Sequence, residues 1–431
     1  MSTLAPDNSA HGTAAPDAAR SDLSVMSLVG AAHFASHFSQ LVLPPLFPLL
    51  ATEFNVSFIE LGLIVTLFYV CSGLGQATAG VLVDRYGAHR LLVCGLATLS
   101  VAVALYGMAT HYWMLLPLAA IAGLGNSVFH PADLSILSHR VSTGRLGRGY
   151  AVHAVMGSVG FASSPIFIGA VTAFASWRVA LLLAGAIGLT IAAVLHLQRP
   201  VLLYVKSAVD QKNVGASTEH AAKHQRPAGY FKIVSSPVVL LAFAYFALTA
   251  VAGTGVQTFA VTALSEGYGL ALRLATFGLS AYLIGSACGM VAGGFLADRT
   301  DKHHRVAMTG LAIVAAIMFL IAGTTGLGAA TVPLLFLAGF SGGVTAPSRD
   351  VLIRRAAAGK GAGTGSVFGF VYSGLDLGSS LGPLLFGALV DHHAPHLVFL
   401  AIGVGFALAA PTVMQVQSTA RRRAAAVAAA E

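Results

Sequence analysis

Gly80-Val81-Leu82-Val83-Asp84-Arg85-Tyr86-Gly87 is echoed 214 residues later by Gly294-Phe295-Leu296-Ala297-Asp298-Arg299. Each stretch closes a long apolar run and ends it with an Asp-Arg pair and a polar turn. One fold-sized unit is therefore written twice. Of the 431 residues, 56% are hydrophobic and only 9% charged, with mean hydropathy +0.80. A soluble domain carries about 25% charged residues. So few charges cannot clothe a water-facing surface, so the repeated unit reads as a bundle of membrane helices.

A bilayer core is crossed by about 20 apolar residues in a helix. Such windows fall near 25–50, 58–83, 91–110, 113–138, 149–173 and 177–197, and again near 237–264, 273–297, 306–326, 331–353, 364–390 and 396–416. Lipid offers no hydrogen bonds to open backbone, so each window is expected to be helical. The expected organisation is a disordered tail over 1–22, a six-helix bundle over 23–197, a polar linker over 198–236, a second bundle over 237–417 and a basic tail over 418–431. The first 22 residues lack the basic start and short apolar core of a secretion signal.

Charge placement sets the expected orientation. One set of loops holds Arg85 and Arg90; Arg140, Arg145 and Arg148; the linker cluster; Arg299, Lys302 and Arg305; Arg354, Arg355 and Lys360; and Arg421-Arg422-Arg423. The opposite loops keep only Arg178 and Arg273. By the positive-inside rule the basic loops and both termini belong in the cytoplasm. The net charge of +8 thus reads as a topology signal, not a nucleic-acid footprint. Trp113 and Trp177 read as interfacial anchors on the opposite side. Cys71, Cys94 and Cys288 lie inside apolar runs and read as small core residues, not a disulfide set.

The repeat goes deeper than the Asp-Arg turns. Ala122-Gly123 and Pro131 match Ala338-Gly339 and Pro347; Pro165 and Gly169 match Pro383 and Gly387. Two six-helix halves in the same orientation imply parallel repeats about an axis along the membrane normal. The prolines would kink their helices.

The residues so far resemble the major facilitator superfamily, whose loop between spans two and three runs Gly-x-Leu-Ala-Asp-Arg-x-Gly followed by a basic pair. Gly80, Leu82, Asp84, Arg85 and Gly87 fit; Ala88 and His89 replace the basic pair, and Arg90 follows. Gly294, Leu296, Asp298 and Arg299 form the weaker copy. His33-Phe34, Leu43-Pro44, Phe47-Pro48-Leu49-Leu50 and Gly123-Leu124-Gly125-Asn126-Ser127-Val128-Phe129-His130-Pro131 are similar to the fosmidomycin-resistance-type branch of bacterial exporters. The span-four Arg of many drug–proton antiporters is absent, and Ser164 precedes Pro165 where those proteins have Gly. The resemblance implies about twelve helices in two bundles, alternating access, and a central cavity lined by spans one, four, seven and ten.

Ionisable residues inside a span mark a pathway or a paired site. Asn126, His130 and Asp133 recur at i, i+4, i+7, on one face of span four. His33, His37 and Gln40 do the same in span one. A cavity wall and simple hydrogen bonding between helices are both open readings for these stripes. Asp376, with Tyr372 one turn earlier, is the first choice for a protonatable group; Asp133 and Asp350 are the other candidates. Asp133 and Arg349 occupy equivalent places in the two halves. They are expected to meet as a gate when the cytoplasmic side closes, the rivals being an Arg349–Asp376 pair or an Arg349 that snorkels to headgroups. Asp84, Arg85, Arg90, Asp298 and Arg299 read as a latch between helix ends, a role compatible with anchoring topology.

No phosphate loop, zinc-spaced Cys/His set or catalytic constellation is present, so no enzyme activity, cofactor or metal is expected. His303-His304 and His392-His393, at span ends, read as solvated. The reading is a monomeric secondary active transporter of the bacterial inner membrane, with a small-molecule substrate and a proton or other ion as coupling partner. Proton-coupled export leads. Proton-coupled uptake of a small organic anion and a non-transporting sensor or scaffold are the alternatives.

Overall fold

The computed structural model describes residues 16–204, 236–324, 326–357 and 364–428. Among them, twelve helical segments are long and apolar enough to cross a membrane. Span one is α1 (Pro16–Gln40) with α2 (Phe47–Phe54), and span two is α3 (Phe58–Tyr86). Span three is α4 (Ala88–Tyr106), span four α5 (Tyr112–Asn126) with α6 (Phe129–Arg140), span five α7 (Leu146–Phe174) and span six α8 (Trp177–Leu197). After the short α9 (Arg199–Leu202), spans seven to twelve are α10 (Pro237–Thr262), α11 (Leu272–Asp298), α12 (His303–Gly323), α13 (Thr331–Ala357), α14 (Thr364–Asp391) and α15 (His396–Ala428).

Two spans are broken for local chemical reasons. Pro44 and Pro45 lack N–H groups and divide α1 from α2. Pro131 leaves the Ser127 carbonyl without its i+4 donor, and the chain turns at Ser127-Val128 between α5 and α6. Its repeat counterpart Pro347 lies within an unbroken α13. The Asp-Arg turn of the first repeat closes on Gly87, whose φ of +89° suits glycine.

The ends differ from expectation. Helix α1 starts at Pro16, inside the expected tail, and buried Asp22 accepts a bond from the Ser142 amide at 3.1 Å with Arg145 at 3.8 Å. Helix α15 runs on to Ala428, through most of the expected basic tail. Most of the expected linker, 205–235, lies outside the described residues.

Helices α1 to α8 pack among themselves, as do α10 to α15. The repeat is visible in atomic packing. A Cβ at Gly123 would collide with the Phe68 carbonyl, and one at Gly339 with the Tyr282 carbonyl. Phe68 and Tyr282 are themselves one repeat apart, so the same glycine lets span four meet span two and span ten meet span eight.

The two halves meet along matching seams, α3 with α14 and α7 with α11. Both seams lie toward the face opposite the basic loops, called here the far face. A Cβ at Gly62 would sit 2.5 Å from the Pro383 carbonyl, and one at Gly169 2.9 Å from Thr276 Oγ1. Thr66 donates to the Ser380 carbonyl at 2.7 Å, and Phe47 packs edge-on to Phe259 at 5.5 Å. Among the described residues, spans four and five share no packed interface with spans ten and eleven, so the basic ends stand apart.

Smaller expectations need correction. Trp113 is 72% exposed, as an interfacial anchor is, whereas Trp177 is buried beneath Arg178 and against Phe54. Cys94 and Cys288 are exposed, not core. His303 is buried, its Nδ1 3.4 Å from Ser348 Oγ, because the first turn of α12 packs inward.

Candidate functional site

The two polar stripes foreseen in spans one and four face each other and form two connected layers. In the first, the Ser36 hydroxyl donates to Asn126 Oδ1 at 2.7 Å, and the Gln40 amide donates to the same oxygen at 3.3 Å. The Asn126 amide donates to Ser72 Oγ in span two at 3.0 Å. One asparagine thus joins three spans, at the point where Pro131 has interrupted span four.

The second layer lies one turn along. Asp133 is 0% exposed, and its Oδ2 lies 3.1 Å from His33 Nδ1 and 3.1 Å from His153 Nε2. The imidazoles of His33 and His153 stack at 3.5 Å, with His37 at 4.4 Å and His130 at 5.4 Å from His33. Gly157 in α7 makes the room: a Cβ there would sit 2.8 Å from His33 Cδ2 and 3.3 Å from His37 Cδ2. His130 is exposed, whereas His33 and His153 are buried. Asp133 Oδ1 and His37 Nδ1 are buried without a hydrogen-bond partner among the described residues.

His153, Ser36 and Ser72 were not foreseen. Ser36 and Ser72 carry no signal that separates them from packing serines. His153 is an ionisable residue within an apolar run, which is a signal, but it stands on span five, outside the four helices expected to line the cavity. The absence of a metal-spaced set in the sequence also has a simple cause. His33, His130 and His153 come from three spans and meet only in the fold.

The other candidates lie elsewhere. Arg349 is half-buried with its guanidinium 5.1 Å over the Phe246 ring of α10. Asp133 spends its bonds on histidines of its own half, so the expected Asp133–Arg349 gate is not made in this arrangement, in which the basic ends are apart. Asp376 is exposed near the α3–α14 seam, its Cγ 3.9 Å from where a Gly73 Cβ would stand, and has no hydrogen-bond or ion partner among the described residues. The rival Arg349–Asp376 pair is thus not made either. Asp84, Arg85, Arg90, Asp298 and Arg299 are all exposed at the basic ends, with Arg85 5.3 Å over its neighbour Tyr86. The side chains of Asp350 and Tyr372 lie outside the described residues.

Twelve apolar helices in two repeated halves, joined at one face and parted at the other around intramembrane polar groups, have the architecture of a secondary transporter. The sequence profile of the Major Facilitator Superfamily matches residues 29–367 and 248–429, and the chain belongs to that family. It is 25% identical over 399 residues to the fosmidomycin resistance protein of Escherichia coli K12, covering 91% of this chain and 93% of that one. It is 24% identical over 362 residues to the membrane sensor protein UhpC of Salmonella typhimurium, covering 80% of each. Among solved structures, the fold is similar to a bacterial homologue of the human lysosomal transporter Spinster, inward-facing and occupied. That match has TM-score 0.76 at 14% identity, covering 92% of this chain and 97% of that one. A D-xylose–proton symporter gives TM-score 0.73 at 15% identity, covering 91% and 97%.

Proposed function

We propose that this protein exports a small molecule across the bacterial inner membrane in exchange for protons, with Asp376 as the group that carries the proton. The observation that carries the reading is the position of Asp376. It is a carboxyl in mid-span, without a cation or donor among the described residues, near the seam along which the two halves move. An intramembrane acid so placed is a functional group by default. It can take a proton on one side and give it up on the other as the seam opens. One proton crossing 100 mV supplies about 2.3 kcal/mol.

The basic loops are taken as cytoplasmic, with both termini inside. The arrangement then has its outer face shut and its inner face open, with His37, Gln40, Asn126 and His130 on the wall offered to a cytoplasmic substrate and His33 buried behind them. Bundles over 23–197 and 237–417, acting as a monomer, would rock about this wall. Asp133 and Arg349 would pair as the inner face closes, beside the Asp84-Arg85 and Asp298-Arg299 turns. The export direction is supported by the likeness to a resistance protein.

The test is accumulation of labelled candidate drugs in cells lacking or overproducing the protein, with and without a protonophore. Lower, protonophore-sensitive accumulation on overproduction is expected, and Asp376→Asn should abolish it while leaving solute counterflow in proteoliposomes intact. Higher accumulation on overproduction would instead establish uptake. A second reading, a sensor that does not transport, is favoured by the likeness to UhpC. It would be established by binding without flux in proteoliposomes under any gradient.

A further inference from the structure

We propose that His33, His130 and His153 form a site for a divalent transition-metal ion of the zinc class, held in place by Asp133 behind them. One nitrogen from each of the three imidazoles lies within 4.8 Å of the other two. Three imidazoles with a fourth position left open form a donor set that zinc accepts, and imidazole also suits copper and nickel. His130 is exposed and His33 and His153 are buried, so the open position faces outward and the two inner ligands are fixed.

Asp133 supplies what separates a ligand set from a chance cluster of histidines. A metal-ligating imidazole gives its other ring N–H to a carboxylate or carbonyl, which fixes ring and tautomer. Asp133 Oδ2 takes His33 Nδ1 and His153 Nε2, both at 3.1 Å. With the ring protons on His33 Nδ1 and His153 Nε2, the lone pairs stand on His33 Nε2 and His153 Nδ1, and the two stacked rings must splay for both to reach one ion. A single carboxylate thus orients two ligands from two spans.

Charge points the same way. Asp133 is wholly buried, and among the described residues its Oδ1 has no partner and its only partners are two imidazoles. A buried carboxylate is strongly disfavoured unless positive charge lies close to it. A dication bound by the two rings it holds would supply that charge. A tetrahedral ion with metal–nitrogen distances near 2.0–2.1 Å keeps its ligand nitrogens roughly 3.3 Å apart. Binding therefore draws the three rings inward by side-chain rotation and ties spans one, four and five of one half together. The site does not depend on transport direction or on Asp376.

Full-length protein freed of any affinity tag would be titrated with cobalt(II), reading the visible bands of tetrahedral coordination, and with zinc by equilibrium dialysis. One ion per chain and a tetrahedral cobalt spectrum are expected. His130→Gln changes an exposed side chain and should abolish the spectrum without changing the thermal melt. Asp133→Asn should weaken zinc about 10–100-fold. Because that change alters a buried group and can unfold the bundle, His130→Gln carries the decision. Absence of saturable binding overturns the proposal. So does binding that survives in His130→Gln, which His→Gln changes at His303, His304, His392 and His393 would trace to the span ends.

Discussion

Asp391 ends α14 in the second half and accepts bonds from two backbone amides of the first, Phe58 at 2.7 Å and Ile59 at 2.9 Å. Ser57 and Glu60 already satisfy each other's amides at the same helix start in a capping box. The first turn of α3 therefore has all four of its leading N–H groups met, two of them only while the halves touch. A carboxylate at a helix N-terminus is favoured by the dipole as well as by the hydrogen bonds. Losing bonds of this kind costs on the order of 1.5–3 kcal/mol. Asp391→Ala should accordingly open the far face. A cysteine at Thr66, in protein whose Cys71, Cys94 and Cys288 are replaced, should react at least tenfold faster with a water-soluble maleimide when Asp391 is lost; equal rates would refute the latch. Asp391 was illegible in the sequence because its partner is backbone 333 positions away and no side-chain pattern announces it. His33, Gln40, Asn126 and Asp133 were legible because helical spacing put them on common faces. The same spacing could not say that Asp133 would choose His153 over Arg349, since that depends on which helix packs behind span four.

At the scale of the helix, the interruption of span four is an arrangement of two parts. Pro131 removes a backbone bond, yet Pro347 in the equivalent place leaves α13 continuous. What differs is the neighbourhood: Asn126 binds Ser36, Gln40 and Ser72, whereas its repeat counterpart is Gly342. Side-chain bonds to spans one and two thus hold the turn that proline permits. Interhelical hydrogen bonds in membranes average about 0.6 kcal/mol, so Asn126→Leu should cost about 1–2 kcal/mol. That should appear as a lower melting temperature in detergent, together with loss of substrate binding, whereas Gly342→Ala in the other half should do neither. A melt unchanged in Asn126→Leu would show that proline alone sets the break. The twelve spans themselves were legible because hydropathy and lipid leave the backbone no alternative. The kink at Pro131 was legible from the proline itself, whereas the break at Pro44-Pro45 was not, since a window of apolar residues does not register a missing donor.

Across the whole molecule the two seams are related by the repeat but are not alike. Gly62 on Pro383 and Gly169 on Thr276 show the shared geometry, while the Asp391 cap exists on one seam only: its counterpart one repeat earlier is Ala173. The polar wall is equally one-sided, since His130 and Asp133 correspond to Ala346 and Arg349. The first half thus holds the histidine–aspartate cluster, and the second half does not repeat it. Rocking about the seams makes a directional prediction. Gly169 lies 21 residues from Arg148, about 31 Å along α7 at 1.5 Å per residue. A tilt of about 10° at the seam would then move the basic end of α7 by roughly 5 Å over that lever. Spin labels at Arg148 and Phe295 report the basic ends of α7 and α11, and labels at Phe174 and Arg273 report their far ends; all four side chains are exposed. In Asp391→Ala the first distance should shorten and the second lengthen, each by several ångströms and in the same fraction of molecules. Distances that change in the same direction would mean that the halves separate as bodies, and unchanged distances would mean that the Asp391 contact bears no part of the balance between the two faces.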